Sequence, residues 1–63
     1  MNGSRLQQIR EALGLSQDEL ADIVRVSARL VNAWEHGERP IPAVVERMVT
    51  RFVAHGLANF APN

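Results

Sequence analysis

The sequence predicts an all-α fold, four helices around one small core. Two observations carry this. Apolar residues recur at i, i+3, i+4 and i+7 almost throughout, and nowhere do they alternate as a half-buried strand would. Each helical stretch also has its own start and stop signals: Asn, Ser or Pro before it, and Gly after it.

The first helix is expected from about Ser4 to Leu13, with Leu6, Ile9, Arg10 and Leu13 on one stripe. Asn2 or Ser4 can cap it, and Gly14 supplies the left-handed residue that commonly follows a helix. The second opens with an S-x-x-E capping box, Ser16 and Glu19, and Leu15 can staple onto Leu20. Asp18 and Glu19 place negative charge at the positive end of its dipole. This helix is short, because the pattern resets at Arg25 and Val26. Ser27 caps a third helix, which carries Val31 and Trp34 on one face and stops at Gly37. Pro42 opens the fourth, since Pro is well tolerated at a first helical position. Its stripe is Val45, Met48, Val49 and Phe52, and His55 and Gly56 end it. Residues 1–56 then form the domain and 57–63 a short apolar tail.

A chain of 63 residues makes one domain and buries only about 60% of the surface its unfolded form exposes. Small folds are usually helped by disulfides, a metal or a partner chain. There is no cysteine, and His36 and His55 form no ligand cluster, so self-association is the expected aid and no cofactor is implied. Seven arginines, no lysine and seven acidic residues give zero formal charge. That is not the basic balance usual in a nucleic-acid binder, so charge must be read face by face. No apolar run reaches the ~20 residues of a membrane span, and no leader is evident, so a cytoplasmic location is expected.

Two short helices joined by about three residues, each with its own Ser cap, can cross steeply over one core. That is the helix-turn-helix, whose second helix enters the DNA major groove amino end first. Ala21 is small where the helices must approach, and Val26 is apolar where the turn must anchor inward. With Val31 and Trp34 turned to the core, Ala28, Arg29, Asn32, Ala33 and His36 face outward. The competing reading is an ordinary helical bundle. Arg29 lies in the first turn, and its guanidinium can fork onto guanine O6 and N7 or contact phosphate. Asn32, one turn on, can pair with adenine N6 and N7. Ala28 and Ala33 either touch a thymine methyl or only permit close approach. Ser27 caps its helix and can donate to phosphate.

The stretch IREALGLSQDELADIVRVSARLVNAWEHGERPIP, Ile9 to Pro42, resembles the Cro and phage-repressor type of helix-turn-helix, the XRE family. LSQDELA, the VS before the third helix and WEHGERPIP after it carry the resemblance. It implies a compact, lambda-repressor-like bundle of four to five helices, operator binding as a dimer, and no enzymatic activity. The segment after the third helix also resembles very small phage-borne autorepressors, including regulators of anti-CRISPR operons. By resemblance, Gln17 grips phosphate at the start of the second helix, where free backbone N–H groups also donate; a plain exposed polar residue is the alternative. His36 and Arg39 are placed to contact the backbone, with Arg25 in the turn alongside. Asp18, Asp22 and Glu38 are acidic enough to oppose them. Arg10 and Glu35 match an ion pair that ties the first helix to the third.

Two positions depart from the family pattern. Arg25 stands where Gly is usual because the backbone takes positive φ, which leaves a remodelled turn open. Ile23 stands where a polar residue is typical, either touching the tail or another subunit or simply exposed.

Val44, Val53, Leu57 and Phe60 remain apolar without a place in the core. They are expected to form an isologous dimer contact or, for Leu57 and Phe60, to fold back on their own domain. The sequence-level function is therefore a DNA-binding repressor that occupies an operator as a homodimer. The alternative is an antitoxin or other protein-interaction module of the same fold. Paired carboxylates, a phosphate loop and a nucleophile–base set are not evident, so an enzyme is not expected.

Overall fold

The protein's fold, from a computed structural model, is described for residues 1–60, with side chains to Ala54. Within these residues the chain forms α1 (Gly3–Ala12), α2 (Gln17–Val24), α3 (Ala28–Glu35) and α4 (Ala43–Phe60), and no strand.

Asn2 rather than Ser4 caps α1: its Oδ1 accepts from the Arg5 N–H at 2.7 Å. The helix therefore starts a residue earlier than its apolar stripe suggests. Gly14 is left-handed at φ +71°, and Gly14 N and Leu15 N close back onto Glu11 O at 3.0 Å and Arg10 O at 3.1 Å. These are the two bonds of a Schellman ending, which satisfy carbonyls the helix itself leaves open. Gly37, at φ +73°, ends α3 in the same way, with Glu38 N on Ala33 O at 2.9 Å. The capping box of α2 is complete: Ser16 Oγ accepts from Glu19 N at 3.1 Å, and Ser16 N donates to Glu19 Oε1 at 2.8 Å.

α4 differs from the sequence expectation at both ends. Pro42 lies just before the helix, its carbonyl accepting from Val45 N and Glu46 N. At the other end the helix runs through His55 and Gly56 to Phe60. A single internal Gly costs about 1 kcal/mol relative to Ala, and each further helical residue adds a hydrogen bond once the helix exists. No proline intervenes before Pro62. The expected boundary after residue 56 thus falls inside α4, and residues 61–63 lie outside the described part.

Leu6, Leu20, Ala21, Val24, Val31, Trp34, Val45 and Val49 form the buried core. Full burial of one such aliphatic side chain is worth roughly 1.5–3 kcal/mol. Ile23 packs on this core and shares a groove with Met48, Arg51 and Phe52 of α4. Half-buried there, it is not the simply exposed apolar residue that was one of the readings of the sequence. Met1 also packs on the core, its ammonium 2.9 Å from Glu46 Oε2. Gly3 brings the start of α1 against the end of α3: a Cβ there would meet the carbonyl oxygens of Trp34 and Glu35, the latter at 2.6 Å.

Candidate nucleic-acid interface

Arg25, Val26 and Ser27 join α2 to α3. Arg25 adopts φ +63° and ψ 45°, a left-handed backbone that costs an L-residue with a Cβ about 1–2 kcal/mol. The turn is not remodelled; the arginine takes the conformation glycine would take more cheaply. Val26 N on Ala21 O at 2.9 Å closes the end of α2, and the Val26 side chain packs partly on the core. Ala21 is buried, its small side chain letting α2 and α3 cross closely. Ser27 Oγ then accepts from Leu30 N at 3.2 Å and starts α3.

Val31 and Trp34 fix α3 from behind. Its outer side carries two adjacent i, i+4 rows, Arg29–Ala33 and Ala28–Asn32–His36. Arg29, Asn32 and His36 are exposed, and Ala33 is half-buried. Ala28 is half-buried too and packs on the core, so it offers less outward surface than the sequence implied. Ser27, Arg29, Leu30, Ala33 and Arg39 line one shallow concavity. Leu30 was not among the sequence candidates; its half-buried side chain adds apolar surface to the concavity that Arg29 and Arg39 also line. His36 turns its Nδ1 back to Asn32 O at 2.8 Å. A carbonyl only accepts, so that nitrogen carries the hydrogen, and Nε2 has no partner among the described residues.

Arg25, Arg29 and Arg39 are exposed, and none forms an ion pair among the described residues. Their charge is therefore free to act at the surface, although the chain as a whole is neutral. Asp18, Asp22 and Glu38 are exposed as well and oppose it.

Gln17, at the start of α2, is tied to α3 through both ends of its side-chain amide. It is half-buried, its Nε2 donates to Glu35 Oε1 at 3.0 Å, and its Oε1 accepts from Asn32 Nδ2 at 3.3 Å. Glu35 is the buried acid behind it, with only 2% of its side chain exposed, paired with Arg10 through Nε–Oε2 at 2.7 Å. Arg10 also reaches Glu35 Oε1 at 3.2 Å and Leu15 O at 2.8 Å. Burial pulls the Glu35 pKa up. Hydrogen bonds from Arg10 and Gln17, with the charges of Arg10 and His36, outweigh it and hold the carboxyl below its ordinary value. The hydrogen bond to Glu35 raises the Arg10 pKa against the opposing effect of burial. The Arg10–Glu35 link is the one the resemblance implies, and its continuation through Gln17 to Asn32 was not foreseen from the sequence.

Of the apolar residues without a place in the core, Val44 is 55% exposed. Val53 is half-buried and lines a groove with Ile9 and Leu13 of α1, so it is not wholly free. The side chains of Leu57 and Phe60 lie outside the described part. Among the described residues no helix is long and apolar enough to cross a membrane, and no group of three or more His, Cys, Asp or Glu is placed to hold a metal ion.

A search of curated proteins and a search of solved structures each return no significant match. A family model described as helix-turn-helix matches residues 6–50. That span holds the capped pair α2 and α3, the ion pair, the exposed row of α3 and the start of α4. The chain belongs to the helix-turn-helix family, in its Cro and phage-repressor form.

Proposed function

We propose that this chain is a sequence-specific DNA-binding transcriptional regulator that represses by occupying its operator. The carrying observation is α3, held from behind by buried Val31 and Trp34 while it exposes Arg29, Asn32 and His36. In this family geometry the amino end of such a helix enters the major groove. Arg29 reads guanine, Asn32 reads adenine, and Ala28 and Ala33 lie against bases without competing polarity. Arg25, Ser27, His36 and Arg39 contact the phosphate backbone and set the register.

The operator is a pseudo-palindrome bound by a homodimer, with half-sites about 34 Å apart. Exposed Val44 supports a contact built on α4, and autoregulation suits so small a regulator. Sedimentation at micromolar concentration shows a dimer on this reading, and a strict monomer ends it. Selection of bound duplexes from random DNA tests the whole: the parent chain enriches a two-fold related sequence, and Arg29→Ala loses preference at one guanine in each half. Preference unchanged in Arg29→Ala would remove that residue from base reading.

A further inference from the structure

Ile23 is apolar on the open side of α2, and its neighbours lie on α4. Half-buried Ile23, Met48 and Phe52 line one groove between the two helices, together with exposed Arg51. Arg47, one turn earlier, is exposed and stands beside Met48 and Arg51. Neither arginine forms an ion pair among the described residues. The acids next to them in the chain are committed or turned away. Glu19, one turn before Ile23, gives its Oε1 to Ser16 N at 2.8 Å. Glu46, next to Arg47, holds the Met1 ammonium at 2.9 Å. Asp22 is exposed and lies about 100° round α2 from Ile23. Two uncompensated cations thus border an apolar groove whose lining includes no residue of α3.

We propose that this groove docks another protein, which lays in it an amphipathic helix with apolar side chains on one row and carboxylates on the next. The site lies apart from the DNA-reading surface and does not depend on it. Ile23, Met48 and Phe52 receive the apolar row, and the unbranched, polarizable Met48 adapts to side chains of different shape. Arg47 and Arg51 are i, i+4 neighbours, a spacing that carboxylates one turn apart on a second helix match. A guanidinium forked onto a carboxylate is among the stronger charge-assisted contacts. A second copy of this chain is the poorer occupant. With the groove set on its own counterpart and α4 on α4, Arg47 and Arg51 would approach their own equivalents, and like charges so placed weaken association.

The test is selection from a displayed library of amphipathic helical peptides, with the parent chain and the double variant Arg47→Glu, Arg51→Glu as baits. Both arginines are exposed, so the variant is expected to melt as the parent does. The parent enriches peptides with apolar residues at i and i+3 or i+4 and Asp or Glu beside them. The double variant binds these about tenfold more weakly or worse, and enriches the same apolar pattern beside Lys or Arg instead. In a nuclear magnetic resonance titration of the labelled parent, the enriched peptide shifts the methyl groups of Ile23 and Met48. Amides of Arg25, Arg29 and Arg39 stay in place, and sedimentation shows the association of copies unchanged. No enriched peptide, a preference indifferent to the two arginines, or shifts confined to the Arg29 side of α3 would each overturn the proposal. Release of a dimer by the peptide would do so too, since a second copy is then the occupant.

Discussion

Arg10 Nε and Glu35 Oε2 lie 2.7 Å apart across the contact between α1 and α3, with 2% of the Glu35 side chain exposed. An acid so enclosed is tolerated because Arg10 and Gln17 both donate to it. Removing one member of such a pair strands the other and typically costs 3–5 kcal/mol. Arg10 keeps a bond to Leu15 O, which places Glu35→Ala at the lower end, a loss of about 3 kcal/mol. Thermal denaturation measures it, and a melting temperature equal to the parent's would reject the pair as a stabilising contact.

The same carboxylate gives the fold an acid limit. Its pKa is depressed in the folded chain below the ordinary 4.5. The stability it contributes is therefore fully present above that value and is lost as pH falls through the folded pKa. Denaturant unfolding from pH 7 to pH 3 is expected to show a steep loss below about 4.5, part of which disappears in Glu35→Gln. An identical pH slope in parent and variant would contradict this.

Arg25→Gly separates stability from binding. Glycine relieves a left-handed backbone that costs about 1–2 kcal/mol and gives back about 0.5–1 kcal/mol through the freer unfolded chain. The net gain lies between zero and about 1.5 kcal/mol. DNA affinity moves the other way, falling equally for all sequences with a salt slope shallower by about one. Affinity unchanged by the substitution would remove Arg25 from the backbone contacts.

Gly3→Ala reverses the ordinary helix ranking. Propensity favours Ala by about 1 kcal/mol, but the added Cβ meets the Glu35 carbonyl oxygen at 2.6 Å and that of Trp34 closer still. Backbone atoms cannot step aside as a flexible side chain would, and overpacking of this kind costs about 1–3 kcal/mol. Unfolding of the variant in urea is expected at a lower midpoint than the parent's. A higher one would show that α1 and α3 do not meet there.

The parts of this fold that were legible in the sequence are local. The Ser16–Glu19 box and the Ser27 cap lie within four residues of the N–H groups they satisfy, and Gly14 and Gly37 act where they stand. The outward side of α3 followed from Val31 and Trp34 through helical spacing alone. What was not legible depends on how helices cross. Gln17 reads by resemblance as a phosphate contact, and its ties to Asn32 and Glu35, 15 and 18 residues away, emerge only once α2 and α3 are placed. Arg10 and Glu35, 25 residues apart, were joined only by family resemblance. Gly56 reads as a stop because glycine often is one, yet helix elongation carried α4 past it. Ile23 found its partners on α4, whose packing no local pattern announces.

The most direct test of α3 as the DNA-reading helix is a nuclear magnetic resonance titration of the labelled chain with its selected duplex. Amides from Ser27 to His36, with Gln17 and the side-chain amide of Asn32, are expected to shift most, and those from Arg47 to Ala54 to shift least. Large shifts confined to α4, with α3 unmoved, would contradict the assignment of the DNA-reading surface.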